Sequence, residues 1–331
     1  MDRGLVLCRQ STVQLFLAHQ SIWTKQFLLT MTTNNICVVS YNLHGFNQGA
    51  PGVKELMVKL QADVIMIQEH WLSRDNLSKL NSLSDNYFVF GSSAMDSCVS
   101  SGPLVGRPFG GTAMLVNKKH VSYTTYIVSS ERYTAIKINN WLLITVYMPC
   151  IGSLQRDLLY DELLSEVQAL IDVYVDCDCL IGGDFNVDLD NRSNISAAVL
   201  KFIDHNHLHR CEQLFPSSER NTYFNDASNT GSAIDYMLTS SVVKTIAFNI
   251  LDLDINLSDH LPIMSVCTRD LSSKSVDCSC ESQPTADVTH LRWDHAPLDL
   301  YHTNTPGNCC SRFNLDLIAL LIDQLQWIEM L

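Results

Sequence analysis

The chain of 331 residues predicts an α/β fold on three observations. Short apolar, β-branched runs recur along it, and segments with apolar residues at helical spacing stand between them. Several of the runs stop abruptly at Asp, Asn, Glu or His, as strands do when they deliver polar groups to one rim of a sheet. The clearest case is Leu180-Ile-Gly-Gly-Asp-Phe-Asn-Val-Asp-Leu-Asp190, a buried run that ends at two glycines and then presents Asp184 and Asn186. Residues two apart share a strand face, so these two can address one small anion while Phe185 turns to the core.

In chain order, residues 1–33 carry no sustained period and read as an extension, with Met31 a more natural start than Met1. Ile36–Tyr41 is a strand ending at Asn42, followed by the loop 43–49, and Pro51 opens a helix with Val53, Leu56, Met57 and Leu60 on its apolar face. Asp63–Glu69 is a strand apolar at every central position, as a strand buried on both faces must be. A short helix is expected over Ser73–Leu83, a strand over Asn86–Phe90, and a long Ser/Gly-rich surface loop over Gly91–Gly111. Four strands follow closely, Ala113–Val116, Ser122–Val128, Tyr133–Ile138 and Trp141–Met148, and their close turns favour antiparallel pairing. Helices over Leu158–Val173 and Ala197–His205 flank the Leu180 strand, and Ala233–Leu238 and Pro262–Cys267 are the last strands. Residues 269–331 read as an acidic linker and a terminal helix, Phe313–Leu331.

A hydrophobic fraction of 46% is that of a globular protein. The most apolar N-terminal stretch is interrupted by Arg9, Gln10, Gln14, His19, Gln20 and Lys25, so neither a transmembrane helix nor a secretory leader is expected. The expected location is therefore the nucleus or cytoplasm, without membrane attachment. The 12 cysteines are scattered, several inside strands, and are expected to be free thiols. Cys278, Cys280, His290, His295, Cys309 and Cys310 fit no regular zinc spacing, and no glycine-rich nucleotide cradle is present. A net charge of −13 argues by itself against a nucleic-acid partner. Part of that charge lies in the tail, however, and part on carboxylates that a divalent cation would neutralise.

The polar strand ends form one set: Asn42, Glu69, Tyr147, Asp184 with Asn186, Asp235, and Asp259 with His260. Each alone fits an ordinary turn or strand end. Together, each beside a buried run, they point to convergence on one rim. A carboxylate beside an amide suits phosphodiester hydrolysis, one group deprotonating water and the other holding a phosphate oxygen without adding charge.

Tyr41-Asn42, Gln68-Glu69, Tyr147-x-Pro149, Gly183-Asp-Phe-Asn186, Ile234-Asp-Tyr236 and Ser258-Asp-His260, in that order, resemble the endonuclease/exonuclease/phosphatase superfamily. The resemblance implies a pancreatic-DNase-like domain over 34–268, a four-layered α/β sandwich of two mostly antiparallel sheets flanked by helices. Tyr41-Asn-Leu-His-Gly-Phe-Asn-Gln-Gly49, Gln68-Glu-His-Trp-Leu72, Gly106-Arg-Pro-Phe-Gly-Gly-Thr-Ala113 and Cys179–Asp188 are similar to the endonuclease domain of non-LTR (LINE-type) retrotransposons. Leu291-Arg-Trp-Asp-His-Ala-Pro297 resembles the linker that precedes a reverse transcriptase there.

Position by position, the resemblance implies Glu69 as the principal metal carboxylate, with Asn42 and Asp259 completing the shell. Hard oxygen donors suit Mg²⁺, with Mn²⁺ as a substitute. Asp184 would activate water, Asn186 and Tyr147 would hold phosphate, and His260, paired with Asp235, would be charged. Thr222 and Ser232 match positions that contact backbone phosphates, and Arg107, Lys118, Lys119 and Arg220 are further candidates for DNA contacts. The implied partner is DNA, with element RNA only where a reverse transcriptase is supplied elsewhere; the oligomeric state is open. Two other readings stay open: a phosphatase, phospholipid phosphodiesterase or abasic-site endonuclease on the same core, and an inactive nucleic-acid-binding relic.

Overall fold

A computed structural model describes residues 35–268, apart from 97–99, 101–107, 217–218 and 226. The N-terminal extension, the acidic linker with its terminal helix, the cysteines and histidines beyond 277, and Arg107 lie outside the described residues. The chain runs β1 (Asn35–Asn42), α1 (Phe46–Glu55), β2 (Val64–Gln68), α2 (Ser78–Asn81), β3 (Tyr87–Ser92), β4 (Thr112–Asn117), β5 (Thr124–Ser129), β6 (Tyr133–Ile138) and β7 (Trp141–Tyr147). It continues through α3 (Arg156–Val173), β8 (Asp178–Asp184), α4 (Asn194–His205), β9 (His209–Arg210), α5 (Cys211–Leu214), the hairpin β10 (Tyr223–Asn225) and β11 (Thr230–Ser232), then β12 (Asp235–Thr239), β13 (Thr245–Ile250) and β14 (Ile263–Thr268).

Two six-stranded sheets result, ordered β13-β14-β1-β2-β4-β3 and β5-β6-β7-β8-β12-β9. Only β1–β2 and β7–β8 pair in parallel; the other pairs are antiparallel. The period of two decides what each face meets. Ile36 and Val38 of β1, Val64 and Met66 of β2, Trp141 and Leu143 of β7, and Leu180 of β8 fill the space between the sheets. Their alternates, Cys37, Val39, Ile65 and Ile67, pack outward with Val53 and Leu56, while Ile144 and Ile181 pack outward against Tyr160 and Leu163 of α3 and Val199 of α4. This is the helix–sheet–sheet–helix sandwich, and each fully buried large side chain contributes about 1.5–3 kcal/mol relative to exposure. All six cysteines among the described residues are free thiols. No helix among the described residues is long and apolar enough to cross a membrane.

The inter-sheet layer changes character along the strands. Below one rim, Gln68 Nε2 donates to Ser40 Oγ at 3.0 Å and to Thr145 Oγ1 at 2.6 Å, and Thr112 and Thr134 hydroxyls meet at 3.0 Å. The Gln68–Thr145 and Thr112–Thr134 links join the two sheets where the apolar core ends. The opposite end is closed by buried Asp63, which accepts the Cys37 N–H at 2.8 Å, lies 2.7 Å from His120 Nε2 and pairs with Lys119.

Several boundaries differ from the sequence expectation. Helix α1 begins at Phe46, so Pro51 lies inside it rather than at its start. The helix packs closely through its glycines: a Cβ on Gly49 would lie 2.5 Å from Leu43, and one on Gly52 would crowd Tyr41 and Leu253. A π-helical turn, Leu56–Leu60, completes the segment. The Ser73–Leu83 helix is a 3₁₀ turn (Arg74–Asn76) and the four-residue α2. Gly91 and Ser92 belong to β3, which shortens the loop beyond it. A 3₁₀ segment, Lys118–Tyr123, precedes β5, and β4 lies in the other sheet from β5–β7. Strands β9, β10, β11 and β13 carried too little apolar alternation to be anticipated.

Gly183 is set by contact, since its Cβ would lie 2.0 Å from the Val146 carbonyl oxygen of β7. Gly183→Ala is expected to cost about 3 kcal/mol, the upper end of ordinary overpacking losses. Urea denaturation checks it: an unchanged midpoint would mean that β7 and β8 do not approach this closely.

Candidate active site

Strand parity aims the polar strand ends into the cleft between the sheets. Asn42 continues the Ile36–Val38–Ser40 face, Asp184 the Leu180 face, Tyr147 the Trp141–Leu143 face and Asp235 the Met237 face. Tyr147, Asp184 and Asp235 are direct neighbours across β7, β8 and β12. Asn42 faces Gln68 across β1 and β2 in the other sheet. The predicted set therefore meets at one rim.

Glu69 follows β2 with φ 52, a left-handed conformation uncommon outside glycine. It swings the carboxylate back over the cleft. Asn42 Nδ2 donates both to Glu69 Oε1 at 3.1 Å and to Asp184 Oδ2 at 2.9 Å, and Asn42 Oδ1 accepts the His44 N–H at 3.0 Å. Asn186, with φ 50, donates its backbone N–H to Asp184 Oδ1 at 2.8 Å. Its side-chain amide donates to Met148 O and to Asp184 Oδ2, each at 2.9 Å. Asp184 is thus almost wholly buried and held by three N–H donors.

On the far side of Asp184, His260 Nδ1 lies 2.8 Å from Asp235 Oδ2, and His260 Nε2 lies 4.0 Å from Asp184 Oδ2 and from Asp259 Oδ1. Burial alone would disfavour the charged ring. The charge and hydrogen bond of Asp235, then the charges of Asp184 and Asp259, outweigh it and push His260 up to about 10. Asp184 moves up from the usual carboxylate range, first through burial and then through the charge of Asp235, with His260 opposing. Tyr147 is pushed up by burial and by the nearby Glu69 and Asp184 charges, so its hydroxyl remains a donor; the Arg132 guanidinium stands 4.9 Å over its ring.

Asp259 Oδ1 lies 2.8 Å from His44 Nδ1 in an ion-pair contact. That contact, against burial, raises the His44 pKa, aided by the charges of Asp259 and Glu69. Glu69, the Asn42 amide oxygen and Asp259 are hard oxygen donors at this rim, a donor set that fits a divalent cation. Asp184, Asp235 and His260 also offer ligand atoms within 4.8 Å of one another. Their arrangement as a hydrogen-bonded, positively charged imidazole between two carboxylates suits proton handling better than metal ligation.

Thr222 is buried, and its Oγ1 accepts the N–H of Ile234 at 3.2 Å and of Asp235 at 3.1 Å. It props the start of β12, while half-buried Ser232 takes the Thr222 N–H on its carbonyl. Arg220 is ion-paired with Asp190. Lys118 and Lys119 are a correction: β4 starts beside Gln68 and ends beside Val64, so both lysines sit at the opposite rim, with Lys119 on Asp63. Sequence reasoning missed His44, Trp71, Arg156 and Asn256. Arg156 donates to Pro149 O and Asn186 O. Asn256 accepts the Tyr41 hydroxyl and the Ser258 N–H and donates to His260 O. The left-handed backbone at His44, Glu69 and Trp71 left no spacing signal for the first two.

The two-sheet sandwich with a carboxylate–amide–imidazole cluster at one rim defines a phosphodiester-hydrolysing class of enzyme. The chain belongs to the Endonuclease/Exonuclease/phosphatase family, whose model matches residues 39–260. Solved structures with the same fold include a 3′ phosphatase, NExo, from Neisseria bound to a product DNA hairpin, at 16% identity and TM-score 0.54, covering 70% of this chain and 98% of that one. An AP endonuclease from Archaeoglobus fulgidus aligns at 16% identity and TM-score 0.55, covering 70% and 99%. A family protein from Bacteroides thetaiotaomicron aligns at 17% identity and TM-score 0.52, covering 72% and 98%. Among curated proteins no significant sequence match was found.

Because His260 is raised above its ordinary value, its charged form stabilises the fold fully below about pH 6.5, and that contribution is lost as pH rises through about 10. Asp235→Asn is expected to lower the imidazole midpoint by roughly one to three pH units and to bring the alkaline loss of stability down with it. Imidazole titration by NMR checks this; an unmoved midpoint would detach Asp235 from His260.

Proposed function

We propose that the protein is a divalent-metal-dependent DNA endonuclease of the retrotransposon type, nicking target DNA to leave a 3′-hydroxyl that primes reverse transcription. The observation that carries the hydrolytic reading is the chain Glu69–Asn42–Asp184 joined at one rim to Asp184–His260–Asp235. Its retrotransposon character is supported by the segments around Asn42, Glu69 and Asp184 in the sequence.

In this reading Asp184, its carboxyl raised by burial, orients a water and accepts its proton. Asn42 and Asn186 hold that carboxylate in place, and the Tyr147 hydroxyl faces the phosphate. Charged His260, supported by Asp235, offsets the negative charge that develops on the phosphoryl oxygens. Glu69, Asp259 and the Asn42 amide oxygen would hold the cation; when bound, Mg²⁺ or Mn²⁺ would supply charge neutralisation at a phosphate oxygen. The 3′-hydroxyl product follows from water attack with the sugar O3′ as leaving group. Target preference belongs to the surface loops.

Asp184→Ala, His260→Ala and Glu69→Ala are each expected to reduce plasmid nicking by about 10²- to 10⁴-fold with circular dichroism unchanged. The unaltered chain should nick plasmid in Mg²⁺ and release no phosphate from inositol phosphates or sphingomyelin. Release from either, without nicking, would replace the endonuclease by a phosphatase or lipid phosphodiesterase. A folded Asp184→Ala protein of native activity would remove Asp184 from the mechanism.

A further inference from the structure

The left-handed turn after β2 places Trp71 where the strand alternation would not. Glu69 has φ 52 and Trp71 φ 54, and the Trp71 N–H donates to Gly110 O at 3.0 Å. Between them His70 is buried, its Nδ1 accepting the Leu72 N–H at 3.0 Å and its Nε2 facing Ser92 O at 3.0 Å. A neutral ring in that tautomer nails the turn to β3. The indole is brought back toward the cleft, where Nε1 donates to Glu69 Oε2 at 2.9 Å. Its ring stands 4.9 Å from the His44 ring, tilted by 53°. Gly45, φ 100, leaves room for it, because a Cβ there would lie 2.6 Å from Trp71 Cε3.

We infer that Trp71 is a positioning residue for the Glu69 carboxylate, holding Oε2 through its indole N–H while Asn42 holds Oε1. The inference rests on the reading of Glu69 as the metal carboxylate. A half-buried glutamate has three rotatable bonds to fix, and two donors from opposite sides fix them while leaving each oxygen a further lone pair for the cation. The same indole walls in His44, whose other contact is Asp259, so the two carboxylates assigned to the cation are held by residues that touch each other. Hydrogen-bond partners of metal ligands typically contribute about 10- to 100-fold in metal affinity.

The test measures Mn²⁺ binding to the full chain without DNA, by calorimetry and by quenching of tryptophan fluorescence. Trp71→Phe keeps a ring against His44 and removes the donor. It is expected to bind Mn²⁺ about 10- to 100-fold more weakly, with an unchanged thermal midpoint, and to regain most of its nicking rate at excess Mn²⁺. Replacing Trp71 by benzothienylalanine, which keeps the bicyclic shape and lacks only the N–H, should weaken binding equally and decides the case if Trp71→Phe does not fold. Native Mn²⁺ affinity in the benzothienyl protein overturns the inference. Glu69→Gln separates the two levels: if it too binds Mn²⁺ with native affinity, the metal reading of Glu69 fails, whereas weak binding by Glu69→Gln beside native binding by the Trp71 variants sinks only the positioning role.

Discussion

The site depends on one amide. Asn42 stands at the end of β1 in one sheet, and its NH₂ group donates one hydrogen to Glu69 beside it and the other to Asp184 across the cleft. The two carboxylates would otherwise repel across a half-dry gap, where charge interactions are stronger than in water. A neutral double donor holds both without adding charge. It also fixes how closely the sheets approach at this rim, since shifting either sheet by an ångström breaks one of the two bonds. Ser258 reinforces the arrangement by donating its hydroxyl to the Asn42 carbonyl at 2.8 Å, so the loop bearing Asp259 and His260 is tied to the same residue.

The electrostatics follow from this crowding. Asp184 and Asp235 sit directly opposite each other on neighbouring strands, an arrangement that is destabilising for like charges. The fold answers by placing one imidazole between them and a second, His44, against Asp259. Burial and mutual repulsion raise the Asp184 carboxyl, and the same carboxylates raise His260. The raised Asp184 and the raised His260 are thereby products of a single cluster rather than of separate environments. The basic side chains near the rim are engaged as scaffolding: Arg156 ties two loops, Arg132 lies over Tyr147 and Arg220 pairs with Asp190.

The strands that carry the site were legible because their apolar runs are long and their polar ends abrupt. β6 matches its expected limits, Tyr133–Ile138, and Phe185 faces the core as alternation requires. What was not legible depends on tertiary contact. Pro51 looks like a helix start because its ring suits a first turn, yet the helix begins at Phe46, where the loop after β1 is bonded to the turn after β2 through Gly45 N–H to Glu69 O and Phe46 N–H to His70 O. β13 buries only Thr245 and Phe248, three residues apart, so it shows no period of two, and β10–β11 is too short to show a period. His44 and Trp71 were hidden for a different reason: left-handed backbone at His44, Glu69 and Trp71 redirects side chains in a way that no periodicity records. The lysines at 118 and 119 were misplaced because charge alone does not say which end of a strand a residue occupies.

The position of β14 has a consequence for how the molecule comes into being. The strand is last in the described sequence but interior in its sheet, seated between β13 and β1, with Thr268 opposite Asn35. Until residues 263–268 leave the ribosome, β1 presents an unpaired edge, and that edge is the strand that carries Asn42. Contacts of such long sequence separation make assembly slow and leave sticky intermediates exposed. Asp259 and His260 arrive with the same late segment. The cluster that joins Asn42, Asp184 and His260 is therefore complete only after β14 has been added.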